Sequence, residues 1–190
     1  MLSRNFCLIV LTVFSAASAA NADCPNIITR ASWVAREPKS VAYLTVPLSH
    51  VAIQHTVTQQ CFNSDNCSAS VRKIQTLHMD DFHWDDIGYS FLIGGDGNVY
   101  EGRGWNRVGA HTFGWNNKSI GIAFIGTYNT DEPSQKMLDT ARELITCGKG
   151  QSMLIDDVKV LGARQFSDTL SPGDKLYSHI KTWPEWSSTP

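Results

Sequence analysis

Short apolar segments that suit β-strands alternate along this chain with longer segments of helical periodicity, and this alternation constrains the fold more than any other feature. The strand candidates are rich in Val, Ile, Phe and Tyr and are bounded by Gly or Asp. They are Val51–Val57, Tyr89–Ile93, Val99–Glu101, Ile120–Ile125 and Val158–Leu161. The Gly-Gly-Asp-Gly run at Gly94–Gly97 predicts a hairpin turn between two of them, because Asp-Gly tolerates positive φ.

Three other segments have apolar residues at helical spacing. In Ser68–Asp81 and Ser134–Cys147 these residues recur at steps of three and four, so that one stripe can face a core. Ser134 is placed to cap the second helix and Gly148 to end it, and a shorter helix is predicted over Gly173–Thr182. Strands and helices that alternate at these lengths predict an α/β fold with a central mixed β-sheet flanked by helices.

The first 22 residues differ from the rest of the chain. Arg4 is their only charge, an apolar run follows it, and small residues at Ala17–Ala22 offer two A-x-A cleavage sites. We predict a signal peptide at 1–22 and, since no repeat or linker divides the remainder, a single domain at 23–190. No later apolar run approaches the roughly 20 residues of a membrane helix, so a secreted, extracellular protein is expected.

Charge and cysteine content narrow the function classes. The formal net charge of −2 offers no broad basic face for nucleic acid or an anionic membrane. Cleavage would leave Cys24, Cys61, Cys67 and Cys147, which permit two disulfides in three possible pairings. Cys61 and Cys67 could close the polar loop between them, which would leave Cys24 to reach Cys147. No C-x-x-C occurs, and this disfavours a zinc knuckle.

The sequence contains no short catalytic motif. H-E-x-x-H, G-x-S-x-G and the P-loop are absent, and His78 and His83 would point roughly 140° apart on a helix. Gly102-Arg103-Gly104 is interpreted as a turn. Large polar and aromatic side chains are instead unusually dense in the middle of the chain, a pattern that suits a ligand made of sugar and peptide. They are Phe82, His83, Trp84, Tyr89, Trp105, His111, Phe113, Trp115 and Asn116.

Several longer segments resemble the peptidoglycan-recognition protein domain, a family related to the zinc amidases of the phage-lysozyme type. They run in order through nearly all of residues 23–190: Val51–Thr56, His78–Asp80, Asp86–Gly97, Val99–Trp105, Gly109–Thr112, Ser119–Gly126, Leu170–Gly173 and Trp183–Pro184. The resemblance implies a central sheet with a groove for muramyl peptide on one face. The Cys61–Cys67 pair also resembles the small disulfide loop typical of that family.

The same resemblance implies that the zinc ligands are replaced. Amidases of the family hold Zn²⁺ with two His and one Cys, aided by a Tyr, and a metal-bound water attacks the bond between the lactyl group and L-alanine. The ligand positions correspond here to Gln54, Ala163 and Ser171, whereas the Tyr is retained as Tyr89. Zinc prefers imidazole nitrogen and thiolate sulfur, so we expect no metal cofactor and no hydrolysis by this route.

By resemblance, the ligand-binding side chains of the groove are His55, Thr56, His78, Phe82, His83, Trp84, Tyr89, His111 and Asn116. Strand alternation turns His55 away from Gln54, so it does not replace the missing metal ligand. Family members that bind diaminopimelate can use an Arg directly after the groove Asn, by a charge-assisted bond. Here that residue is Asn117, and the pattern favours lysine-type peptidoglycan.

The leading hypothesis is a secreted pattern-recognition receptor that binds bacterial peptidoglycan without cutting it. The resemblance implies that it passes the signal to other secreted recognition proteins or to serine proteases of an immune cascade, of the Toll-type or prophenoloxidase kind. An alternative is a peptidoglycan hydrolase with another mechanism, using Ser171 or Thr169 as nucleophile, although the sequence offers no base for either. A third is a decoy that binds the cell wall without signalling.

Overall fold

The computed structural model describes residues 24–190, and the predicted signal peptide lies outside this range. The elements, in chain order, are β1 (Ile27–Ile28), β2 (Leu48–His55), α1 (Ser64–Thr76) with a π-helical turn (Leu77–Asp81), β3 (Phe91–Ile93), β4 (Val99–Glu101), β5 (Ser119–Phe124), α2 (Gln135–Gly150), β6 (Leu154–Gly162), a 3₁₀ turn (Ala163–Gln165) and α3 (Asp174–Ile180). None of the helices described is both long and apolar enough to cross a membrane.

The six strands form one mixed sheet in the order β1-β4-β3-β5-β2-β6. β2 lies between β5 and β6 and runs parallel to both, whereas β3 is parallel to β5 and antiparallel to β4. The predicted turn between β3 and β4 is present, with Gly97 at φ +79°. The predicted fold class, a central mixed sheet flanked by helices, is therefore confirmed.

The two faces of the sheet are covered differently. Val51 and Ile53 point to one face, where α2 and α3 complete the larger core. Val71 and Ile74 of α1 pack on the other face against side chains of β3, β4 and β5, among them Ala123. Loops rather than a helix cover the rest of this second face, over β2 and β6, and the candidate site lies there.

Two disulfides cross-link segments of the chain to α2 and α1. Cys24 pairs with Cys147 of α2, and Cys61 pairs with Cys67 in the first turns of α1. This is the pairing in which Cys61 and Cys67 close a short loop. Cys67 itself, however, is helical.

Two predicted helix boundaries were wrong. α1 begins at Ser64 rather than Ser68, because the Asn63 side chain accepts a hydrogen bond from the amide of Asn66 at 2.9 Å and caps the polar stretch. α2 continues past Gly148, where a Cβ would lie 2.6 Å from the Trp105 ring. That glycine therefore permits close packing and does not end the helix.

Candidate binding groove

The candidate site is a groove on the second face of the sheet, beside α1, where loops cover β2 and β6. We define it by the predicted ligand-facing side chains that the structure brings to that face: Thr56, His78, Phe82, His83, Trp84, Tyr89, His111 and Asn116. One wall is aromatic, the other is a loop that contains His111, and the floor is formed by the ends of β2 and β6.

Four aromatic rings in mutual contact, stacked, tilted or edge-on, form the aromatic wall. The π-helical turn after α1 places His78 and Phe82 with ring centroids 5.7 Å apart, and Trp84 lies 4.7 Å from His78. Tyr89 completes the wall at 5.5 Å from His78. His83 has φ +59°, and the chain reverses there so that the amide of Trp84 donates back to the carbonyl of His78 at 2.9 Å. A left-handed, non-glycine residue beside a site is consistent with function.

His78 is held in one neutral form. It is 5% exposed, and its Nδ1 accepts a hydrogen bond from the Gly88 amide at 2.9 Å, so its proton is placed on Nε2. Burial, and secondly the positive charge of Arg103, lowers the pKa of His78 to about 4. Burial likewise raises the pKa of the Tyr89 phenol to about 12. At neutral pH both side chains are uncharged hydrogen-bond donors.

Asn116 organises the opposite wall. Its Oδ1 accepts hydrogen bonds from the amides of His111 and Thr112 at 2.8 and 2.7 Å, so only its NH₂ group is left for a ligand. The His111 ring lies against Gly109 and Gly121, where a Cβ would come within 2.3 and 2.4 Å of the ring. Burial is the largest cause that lowers the pKa of His111 to about 4. These glycines are therefore needed to seat the imidazole.

The three predicted metal-ligand positions lie on neighbouring segments at the ends of β2 and β6. The β2–β6 register pairs Ile53 with Gly162, which places Gln54 beside Ala163. Gln54 donates from Nε2 to the carbonyl of His111 at 2.7 Å, and its buried Oε1 has no hydrogen-bond partner among residues 24–190. The Ser171 hydroxyl accepts a hydrogen bond from the His55 amide at 3.2 Å. Together these positions present two neutral oxygens and a methyl group.

This donor set does not fit a zinc site of the family's type. Within residues 24–190, no three or more His, Cys, Asp or Glu side chains are grouped so as to hold a metal ion. Nor does any imidazole or carboxylate in that range hydrogen-bond to the hydroxyl of Ser171 or of Thr169, whose Oγ1 accepts instead from the Ser171 amide. The described residues thus offer no ready base for either proposed nucleophile.

One predicted binding residue, His55, and one ring of the aromatic-rich segment, Trp105, lie elsewhere. His55 is on the opposite face of β2 from Gln54 and is 4% exposed, and its Nδ1 accepts from the Tyr128 amide at 3.1 Å. Its ring points away from the groove, so the binding set proposed below omits it. Trp105 packs on Phe91 with centroids 4.6 Å apart, beside α2, and so belongs to the core. Thr56 follows the end of β2, and its hydroxyl accepts a hydrogen bond from the Gly126 amide at 3.0 Å.

Sequence reasoning missed two features of the groove. Trp115 and Phe166 meet with centroids 5.0 Å apart and so join the two loops that cover β2 and β6. Arg103, interpreted as part of a turn, is only 7% exposed and donates to three backbone carbonyls. The flanking glycines, Gly102 and Gly104, were the only signal in the sequence for that buried cation.

Comparison with known proteins identifies the family. A family model described as N-acetylmuramoyl-L-alanine amidase matches residues 44–174. A peptidoglycan recognition protein of Bombyx mori is 46% identical over 179 residues, which cover 94% of this chain and 91% of that protein. The structure of bumblebee PGRP-SA superposes with a TM-score of 0.86 at 54% identity and covers 88% of this chain and 100% of that one.

A further solved structure contains a ligand. Peptidoglycan recognition protein LE, in complex with tracheal cytotoxin, a monomeric diaminopimelic acid-type peptidoglycan, matches with a TM-score of 0.83 at 39% identity, over 85% of this chain and 95% of that one. With a family match over most of its length and close relatives over almost all of it, the chain belongs to the peptidoglycan recognition protein family, whose domain is related to the amidases.

Proposed function

We propose that this chain binds bacterial peptidoglycan in the groove and does not cut it by the amidase reaction. The observation that carries the proposal is the floor of the groove, where Gln54, Ala163 and Ser171 lie on neighbouring segments without an imidazole or a thiolate. Both walls around this floor keep side chains suited to a ligand. Recognition therefore persists where the metal chemistry has been lost.

The replaced side chains are poor zinc ligands for separate reasons. Ala163 has no donor atom. Gln54 has only one neutral oxygen to offer a metal, and its nitrogen donates a hydrogen bond to the carbonyl of His111. The Ser171 hydroxyl would have to ionise before it could bind a metal well. A complete set of such ligands contributes about 10–16 kcal/mol to zinc binding in zinc-finger peptides, so the loss of all three should abolish the binding of zinc here. No catalytic step is therefore assigned to this site.

The remaining groove suits a muramyl peptide. The faces of Phe82 and Trp84 provide apolar surface for the carbon skeleton of a sugar or a stem side chain. The neutral His78 and the Asn116 amide provide N–H donors for peptide carbonyls. A mixture of apolar surface and a few fixed polar groups is typical of ligand sites. The complex of the related LE protein with a peptidoglycan fragment supports the same class of ligand.

We propose a preference for lysine-type peptidoglycan. A third stem residue of the diaminopimelate type carries an extra carboxylate, which calls for a cation near Asn116. The next residue, Asn117, is exposed and uncharged. The ammonium of Lys118 lies 4.1 Å from the centre of the Trp115 ring, where a cation–π contact holds it. No dedicated cation is thus available beside Asn116 from this loop.

We further propose that the protein acts outside the cell as an immune receptor. The predicted signal peptide at residues 1–22 and the two disulfides support secretion. Its partners would then be other secreted recognition proteins or serine proteases that start a Toll-type or prophenoloxidase cascade.

Sedimentation with insoluble peptidoglycan tests the binding proposal. We expect the native protein to sediment with the lysine-type polymer and less with the diaminopimelate type. Trp84→Ala should remove most of this binding, whereas Tyr43→Ala, at a 74% exposed aromatic residue outside the predicted binding set, should not. Failure of the native protein to sediment with either polymer would overturn the proposal.

A further inference from the structure

The Gly102-Arg103-Gly104 run places a buried cation directly behind the aromatic wall. The amides of Gly102 and Gly104 both donate to the carbonyl of Ser90 at 2.9 Å, and the amide of Arg103 donates to that of Tyr89, also at 2.9 Å. A Cβ at position 102 would lie 2.2 Å from the Tyr89 carbonyl oxygen, and Gly104 has φ +70°. The two glycines therefore allow the close contact that seats Arg103 there.

The Arg103 guanidinium joins two separate loops. Its Nε donates to the carbonyl of Ile87 at 2.7 Å and one terminal nitrogen to that of Asp86 at 3.4 Å, both between Trp84 and Tyr89. The other terminal nitrogen donates to the carbonyl of Val108 at 3.1 Å, in the loop that leads to His111. A planar group with five fixed N–H donors can span three such acceptors, whereas a lysine ammonium cannot match that geometry.

A single peptide unit connects Arg103 to a side chain of the groove through hydrogen bonds. The peptide between Ile87 and Gly88 accepts from Arg103 at its carbonyl and donates from its N–H to Nδ1 of His78. The Gly88 carbonyl accepts in turn from the amide of Ala110, next to His111. Hydrogen bonds in such a chain strengthen one another in a buried setting.

A cleft of about 350 Å³ lies between the two loops and is lined by Trp84, Arg103 and Ala110, among others. The carboxylate of Asp86 is completely buried and forms an ion pair with Arg30 at 2.9 Å, so a fixed negative charge near Arg103 partly offsets the cost of burying it. The guanidinium is therefore a side-chain link across the cleft, beside the backbone hydrogen bond from the Ala110 amide to the Gly88 carbonyl.

We propose that Arg103 is a positioning residue of the groove, which holds the Trp84–Tyr89 segment and the His111 loop in the one arrangement that binds muramyl peptide. The proposal rests on the proposed function, because it assigns the ligand to the same groove. Arg103 would act through Gly88 and His78 without touching the ligand.

The test compares Arg103→Lys with Leu144→Ala, a substitution in the buried face of α2 that lowers stability from the other core, on the opposite face of the sheet. The probe is a soluble lysine-type muramyl pentapeptide, with Kd measured by calorimetry at a temperature where all variants are folded. We expect Arg103→Lys to weaken binding at least about tenfold, since small misplacements of binding groups are costly, and Leu144→Ala to bind as the native protein does. Equal binding by Arg103→Lys, or an equal loss in Leu144→Ala, would overturn the proposal.

A second measurement needs no ligand. Hydrogen exchange of the Gly88 and Ala110 amides should become faster in Arg103→Lys, relative to the mean of core amides, and should keep its native ratio in Leu144→Ala. If the native protein binds no pentapeptide but this exchange pattern is found, the proposed function fails while the restraint by Arg103 stands. Unchanged exchange in Arg103→Lys would refute the restraint itself.

Discussion

His78 should make the folded protein sensitive to acid. Burial and Arg103 lower its pKa to about 4, whereas a histidine in an unfolded chain has a pKa of about 6.5. Between these values the unfolded state binds a proton that the folded state excludes. The stability is therefore fully present above about pH 6.5 and is lost as the pH falls toward 4. Between pH 7 and pH 5 this one group should cost about 2 kcal/mol.

Urea unfolding of the native protein and of His78→Asn, each at pH 7 and pH 5, measures this cost. The asparagine Oδ1, attached to Cγ as the imidazole Nδ1 is, can still accept the Gly88 amide but does not titrate. The loss of stability between the two pH values should be about 2 kcal/mol smaller in the variant, or about 1 M in urea midpoint. His83→Asn, at an exposed side chain, should behave as the native protein does. Equal acid sensitivity in His78→Asn would refute the assignment of a neutral His78 that is hydrogen-bonded to Gly88.

Two gain-of-function experiments test the assignment of the zinc-ligand positions and the role of Asn117. The triple variant Gln54→His, Ala163→His, Ser171→Cys should bind one Zn²⁺ per chain, as measured by elemental analysis. The reason is that it places two imidazoles and a thiolate on neighbouring segments at the ends of β2 and β6. A variant that binds no zinc would contradict the assignment of these positions. Asn117→Arg should shift the affinity ratio about tenfold toward diaminopimelate-type muropeptide in a competition assay, since a charge-assisted bond is worth about 1.5–3 kcal/mol. The same change at Asn66 on α1 should leave that ratio unaltered.

The core of the fold could be predicted because its elements have strong local patterns. Val99–Glu101 was predicted with the bounds that the structure has, and the β3–β4 turn followed from Asp-Gly chemistry. Predictions failed where tertiary contacts override local signals. β1 has only two residues and exists because β4 provides its partner. Val57 was predicted as strand, yet it has φ +56° and β2 ends at His55.

The candidate site was likewise predictable where a local pattern decides the outcome, and not where long-range contacts do. The alternation rule placed Gln54 and His55 on opposite faces of β2, as the structure does. Trp105 was counted with the aromatic-rich segment and lies in the core, because the density of aromatic residues in a sequence does not show which face a ring occupies. Arg103 was overlooked because its role arises from three carbonyls on two distant segments. Such a long-range arrangement has no periodicity that a sequence could reveal.

The central claim is that the groove holds muramyl peptide and leaves its bonds intact. The most direct test incubates the native protein with lysine-type muramyl pentapeptide and added Zn²⁺, collects the bound fraction by ultrafiltration, and identifies the ligand by mass spectrometry. Our account predicts saturable retention of the complete muramyl pentapeptide, with no free stem peptide at any time. Release of a peptide with a new N-terminal alanine would contradict the account.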